Sequence, residues 1–227
     1  MALFTLDFER ISARCFIGDG YEDFPIVNEA CDGFFLDACH RIVKSYGEEL
    51  SKEERDAGFV AMFNGRDFSG WHFTNNKKTD EVANWKVADG VIKLSGGGSP
   101  HLSTASEYAD FEMRFQWRAM REKYNSGFFI CSPKKLGKNQ LNLAKGSEGR
   151  FICGKVNGAK SAGDLQNKSG KWNEWRVLVK GDKVTFRCNG KLAWEATGLK
   201  PEKGYIGLQA EGAPLEFRNL RICEIKK

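Results

Sequence analysis

The chain has 227 residues, of which 12% are aromatic, 25 are glycine and 5 are proline. That balance excludes disordered and collagen-like classes and suits short strands joined by tight turns. The net charge of +5 conceals an asymmetry: residues 1–58 hold 13 acidic against 6 basic side chains, and residues 59–227 hold 17 against 29.

A basic domain favours an anionic partner, or a solvated face that meets the acidic segment. Residues 1–20 carry Asp7 and Glu9 inside their apolar stretch and lack a basic start, so no signal peptide is expected. No run approaches the roughly 18 apolar residues of a membrane helix. The 7 cysteines are odd in number and show no CxxC spacing, which points to free, mostly buried thiols and away from a zinc knuckle.

In chain order, residues 3–17 form a mixed apolar stretch that fits helix or strand and ends at Gly18-Asp19-Gly20. From 28 to 46 the apolar positions Phe35, Cys39, Ile42, Val43 and Tyr46 recur at steps of three and four, predicting an amphipathic helix. Ser51 with Glu54 is a capping-box pattern that opens one or two turns before Gly58. Beyond it the period becomes two, most strictly over residues 111–117, with further strands at 85–94, 127–131, 175–180, 184–188, 191–195, 205–209 and 215–225. Asp89-Gly90 and Asn189-Gly190 carry the chemistry of type I′ hairpin turns. About ten strands without an intervening helix pattern predict two packed antiparallel sheets. A partly helical, acidic extension over 1–49 precedes the sandwich domain of 50–227.

Trp117 shares a face with Phe111, Met113 and Phe115 and is expected in the core. Trp71 and Trp172 follow glycine-containing loops and are the candidates for stacking on a sugar ring. Asn125-Ser126-Gly127 either orients a substrate hydroxyl or caps a turn, and Asn64-Gly65-Arg66-Asp67 reads as a surface turn. His40, His72 and His101 lack metal-ligand spacing, so no metal site and no cofactor is expected. The glycine run 96–98 lacks the following helix of a phosphate loop. Basic clusters at Lys134, Lys135 and Lys138 lack interleaved aromatics, which argues against nucleic acid as a partner.

The ordered series GFVAMFNGRDFSGW (58–71), Trp85 with Asp89-Gly90, YADFEMRFQWR (108–118), NSG (125–127), GKWNEW (170–175), CNGK (188–191), IGLQ (206–209) and FRNL (217–220) resembles the 3-keto-disaccharide hydrolase domain family. The match covers roughly residues 50–225. The resemblance implies a concanavalin-like jelly roll, commonly in secreted or periplasmic bacterial proteins, and a small carbohydrate substrate oxidised at C3. A C3 ketone acidifies the C2 proton, so a base can remove it and the C1 substituent can leave, with water adding back to give net hydrolysis.

Carried over by motif, Asn125 and Gly127 match the family's NSG, Gln209 its late glutamine, and Arg218 with Asn219 its FRN. Three departures follow: Cys131 stands where the family closes a strand with arginine, Gln140 where it has glutamate, and Glu211 where it often has histidine. The resemblance thus implies a hydrolase with Glu211 as base, Arg218 and Gln209 as polarising groups, and Asn125 positioning a hydroxyl. The alternative is a non-catalytic glycan-binding module on the same sandwich, using Trp71, Trp172, Asn125 and Arg218. The charge asymmetry alone suggests a third reading, an intracellular interaction partner masked by its acidic segment.

Overall fold

The computed structural model describes the backbone of residues 4–7, 12–17 and 20–25, and the chain from 50 to 225 apart from residues 76 and 79–81. The chain divides into two compact units, Met1–Val43 and Lys44–Lys227. In the first, β1 (Phe4–Asp7), β2 (Ser12–Ile17) and β3 (Gly20–Pro25) form an antiparallel sheet in chain order, so the stretch of ambiguous type is stranded. The helix expected over 28–46 lies outside the described residues.

The second unit opens with α1 (Lys52–Asp56), whose Ser51 and Glu54 form the reciprocal capping box that the sequence predicts. Fourteen strands follow: β4 (Val60–Ala61), β5 (Trp71–Phe73), β6 (Trp85–Ala88), β7 (Val91–Leu94), β8 (Leu102–Tyr108), β9 (Phe111–Ala119), β10 (Gly127–Ser132), β11 (Gln140–Asn142), β12 (Phe151–Ile152), β13 (Asn173–Lys180), β14 (Lys183–Cys188), β15 (Lys191–Ala196), β16 (Gly204–Leu208) and β17 (Leu215–Glu224). They build two antiparallel sheets. One has six strands in the order β12-β11-β10-β16-β8-β5; the other has eight, β15-β14-β13-β9-β17-β7-β6, with β4 also on β17. Both predicted hairpins turn through positive φ at each central residue, Asp89 (56°) and Gly90 (72°), then Asn189 (50°) and Gly190 (79°).

Alternation explains the core. On β9 the residues Phe111, Met113, Phe115 and Trp117 are buried, and Glu112, Arg114, Gln116 and Arg118 face away from it. Phe115 meets Phe128 of the opposite sheet with ring centroids 4.6 Å apart, and Trp175 packs edge-on to Phe186 at 4.8 Å. Each such side chain contributes about 2–3 kcal/mol through removal of its surface from water.

The thiols are less uniform than expected. Cys131 and Cys188 are buried, but Cys153 is exposed and Cys223 half-buried. Among the described residues no helix is long and apolar enough to cross a membrane.

Candidate functional site

The outer face of the six-stranded sheet is set by register. Leu208 pairs with both Leu102 and Phe128, and all three point into the core. The next positions along each strand, Gln209, His101 and Gly127, therefore turn outward side by side. One row over, Phe129 lies opposite Gly207 on β16 and opposite Gln140 on β11.

Gly127 makes the arrangement possible. A Cβ there would lie 1.9 Å from Gln140 Nε2, so the glutamine side chain lies over the space the glycine leaves. Gln140 is 3% exposed; its Nε2 donates to Gln209 Oε1 at 2.8 Å and to the Ser126 carbonyl at 3.4 Å. Its Oε1 accepts from Cys153 Sγ at 3.8 Å. Ser126 is fully buried and ties its loop to β16 by donating from Oγ to the Gln209 carbonyl at 2.7 Å. With Oε1 of Gln209 engaged, its amide N–H groups are what the side chain has left to offer a ligand.

His101 was not singled out by sequence because its partner is a backbone group distant in the chain. Its Nδ1 accepts the Ala210 N–H at 3.2 Å, which fixes the neutral ring as the Nε2–H tautomer, and its ring lies 5.8 Å from that of Phe129. Burial pushes its pKa below the ordinary imidazole value. Asn125 is exposed beside this group, and Glu211, half-exposed, follows Gln209 by two residues in the loop after β16.

The remaining expected site residues lie elsewhere. Arg218 pairs with Gln116 between the core residues Phe217 and Trp117, so it projects from the outer face of the eight-stranded sheet, where its Nε donates to Gln116 Oε1 at 2.8 Å. Trp172 belongs to the same face: the guanidinium carbons of Arg218 and Arg118 sit 4.1 and 4.5 Å from its ring centroid. Asn219 occupies the β17 irregularity with φ 54°. The expectation that Arg218 and Gln209 act together as polarising groups is therefore corrected, because the two belong to opposite sheets.

Trp71 is corrected as well. It is 8% exposed, packs in the core and donates Nε1–H to the Met62 carbonyl at 2.7 Å, so it offers no face to a sugar. Cys131, in the family's arginine position, is fully buried with φ 43°; burial pushes its thiol up to about 12, which leaves it protonated and unreactive. Among the described residues no group of three or more His, Cys, Asp or Glu side chains is placed to hold a metal ion.

The two sheets and their connections define a concanavalin-like jelly roll, the architecture that neighbouring solved structures share. A proposed glycosyl hydrolase from Parabacteroides distasonis superposes with a TM-score of 0.63 at 22% identity, covering 78% of this chain and 99% of that one. The carbohydrate-binding module CBM66 from Bacillus subtilis gives 0.56 at 14% identity (71% and 99% covered), and a Bacillus licheniformis β-glucanase gives 0.53 at 14% (74% and 99%). At these identities the likeness defines the fold alone. Residues 58–223 match the model of the 3-keto-alpha-glucoside-1,2-lyase-like domain, and the chain belongs to that carbohydrate-related family. No curated protein matches the sequence.

Proposed function

We propose that the outer face of the six-stranded sheet around Gln209 takes a carbohydrate, and that the domain cleaves 3-keto-glycosides by elimination. The observation that carries this reading is the Gln140–Gln209 bond, which spends one amide to aim the other at a ligand. A donor held by a buried partner needs no reorganisation when charge develops on the C3 oxygen. His101, with Nε2–H as its free donor, lies in the same row and serves the same oxygen or a neighbouring hydroxyl; Asn125 positions a hydroxyl at the rim.

In the reaction a carboxylate, assigned to Glu211, takes the C2 proton. The C–H electron pair passes through C2 to the C3 oxygen as an enolate. The enolate then collapses to the C1–C2 double bond as the bond from C1 to the leaving oxygen breaks, that oxygen takes the proton back from Glu211, and water adds across the double bond to complete net hydrolysis. Gln140 cannot take this role, because an amide does not accept a proton at neutral pH. Arg218 has no part in this reading, since it lies on the opposite sheet. The family's description as a 1,2-lyase supports elimination as the bond-breaking step.

A second reading, a glycan-binding module, is favoured by one observation: the two side chains fixed at the centre of the site are both amides. Turnover of a 3-keto-disaccharide by the folded wild-type chain beside Glu211→Ala, with and without a divalent metal ion, separates the two. The enzyme reading expects a loss of about a hundredfold or more in the variant. No cleavage by wild type under any of these conditions would leave only the binding reading.

A further inference from the structure

The outer face of the eight-stranded sheet carries four arginines in direct register. Arg187 lies opposite Arg176 across β14 and β13, Arg176 opposite Arg114 across β13 and β9, and Arg114 opposite Arg221 across β9 and β17. Each is flanked along its strand by core residues, so all four project from the same face. Three strand spacings set the length of the row at about 14 Å.

Like charges directly opposite one another oppose sheet formation. Three of the four are relieved by carboxylates: Glu54 accepts from Arg114 at 3.3 Å and from Arg221 at 2.5 Å, Glu112 from Arg114 at 2.6 Å, and Glu174 from Arg176 at 2.7 Å and from Arg221 at 3.3 Å. Arg187 is exposed and has no carboxylate partner among the described residues. At that end of the row lies a cavity of about 200 Å³ lined by Glu112, Arg114, Arg176, Leu178, Thr185 and Arg187. Within it Glu112 is held by Arg114, and the Thr185 hydroxyl is bonded to Glu195 at 3.3 Å.

We propose that this end of the arginine row binds the carboxylate or sulfate group of an acidic oligosaccharide, the anion taking the place that a fourth carboxylate would hold. Guanidinium forks suit planar, multi-oxygen anions. The cavity admits the anionic group with part of its sugar ring, since one water occupies about 30 Å³. A single-stranded nucleic acid would need open aromatic faces for its bases; among the described residues that stack on this face's arginines, Trp172 is covered by Arg118 and Arg218, and Phe59 is buried under Arg114. The site is independent of the keto-glycoside reading, because it lies on the other sheet.

The test is titration of the ¹⁵N-labelled full chain with an oligogalacturonate, a sulfated oligosaccharide, a neutral oligosaccharide of the same length, sodium sulfate alone and a DNA oligomer. Both acidic oligosaccharides are expected to shift amides of β13 and β14 while leaving β10 and β16 unmoved. Binding should weaken with added salt and fall roughly tenfold or more in Arg187→Gln, the loss of one charge-assisted contact. Arg187 is exposed, so near-ultraviolet circular dichroism should show this variant folded; Arg176→Gln gives a second disruption. The proposal is overturned if the neutral oligosaccharide binds as well, if sulfate alone matches the oligosaccharides, if the DNA oligomer displaces them at equal concentration, or if Arg187→Gln binds like wild type.

Discussion

Gln140 reaches across 2.8 Å to Oε1 of Gln209, and it does so through the space that Gly127 leaves open. Gly127→Ala should therefore act on the amide pair rather than on the backbone. Its Cβ would meet Nε2, Cδ and Cγ of Gln140 at 1.9, 2.3 and 2.6 Å, which expels a buried side chain. The expected cost is about 1–3 kcal/mol in chemical denaturation. The double variant Gly127→Ala/Gln140→Ala should recover part of that stability while binding of a carbohydrate stays impaired. Additive losses in the pair would contradict the steric account.

His101 gives the site a pH signature. Burial holds its pKa below the ordinary value of 6.5, and Nδ1 already accepts the Ala210 N–H. A depressed histidine contributes its stability above the unfolded value and loses it as pH falls through the folded one. Stability should therefore be level above about pH 6.5 and fall on acidification below it. His101→Gln should remove this acid limb; an unchanged limb would assign it to another group.

Trp71 separates the core from the site. Its Nε1–H is bonded to the Met62 carbonyl and it is 8% exposed. Trp71→Phe should lower stability by about 1–3 kcal/mol, through the abandoned carbonyl and lost volume. Carbohydrate binding by the folded fraction should not change, as isothermal titration would show.

Much of this was legible in the residues themselves, for physical reasons. β9 and β13 alternate because one face of each meets the core, and Asp89-Gly90 and Asn189-Gly190 supply the positive φ that their turns need. β5, β11 and β12 span three residues or fewer, too short for a period to show, and Trp71 reads as a loop residue because Gly70 precedes it. Motifs single out Asn125, Gln140 and Gln209 as candidates. They miss His101, because its bond to Ala210 joins residues 109 apart. Motif matching groups Arg218 with Gln209 because a motif carries no record of which sheet a strand joins; Phe217 and Leu220 turn inward, and Arg218 faces out from the sheet opposite Gln209.

Glu54 couples α1 to the arginine row. Burial works against its ionised form, but the hydrogen bond and charge of Arg221, with help from the Ser51 backbone and Arg114, outweigh it and hold its pKa below 4.5. A depressed carboxylate contributes stability above its unfolded value and loses it as pH falls through the folded one. Glu54→Gln should cost about 1–3 kcal/mol at neutral pH, since Arg114 and Arg221 lose the carboxylate they share and keep only Glu112 and Glu174. The difference from wild type should shrink below about pH 4.5 and in high salt. A difference independent of pH would assign Glu54 a packing role only.

The central claim, that carbohydrate chemistry occupies the outer face of the six-stranded sheet, is tested most directly by comparing Gln209→Ala with Arg218→Ala in cleavage of a 3-keto-disaccharide. The account predicts that Gln209→Ala loses about a hundredfold in kcat/KM while Arg218→Ala stays within a few-fold of wild type. Loss of turnover in Arg218→Ala with Gln209→Ala unimpaired would contradict it and move the site to the sheet that carries Trp172.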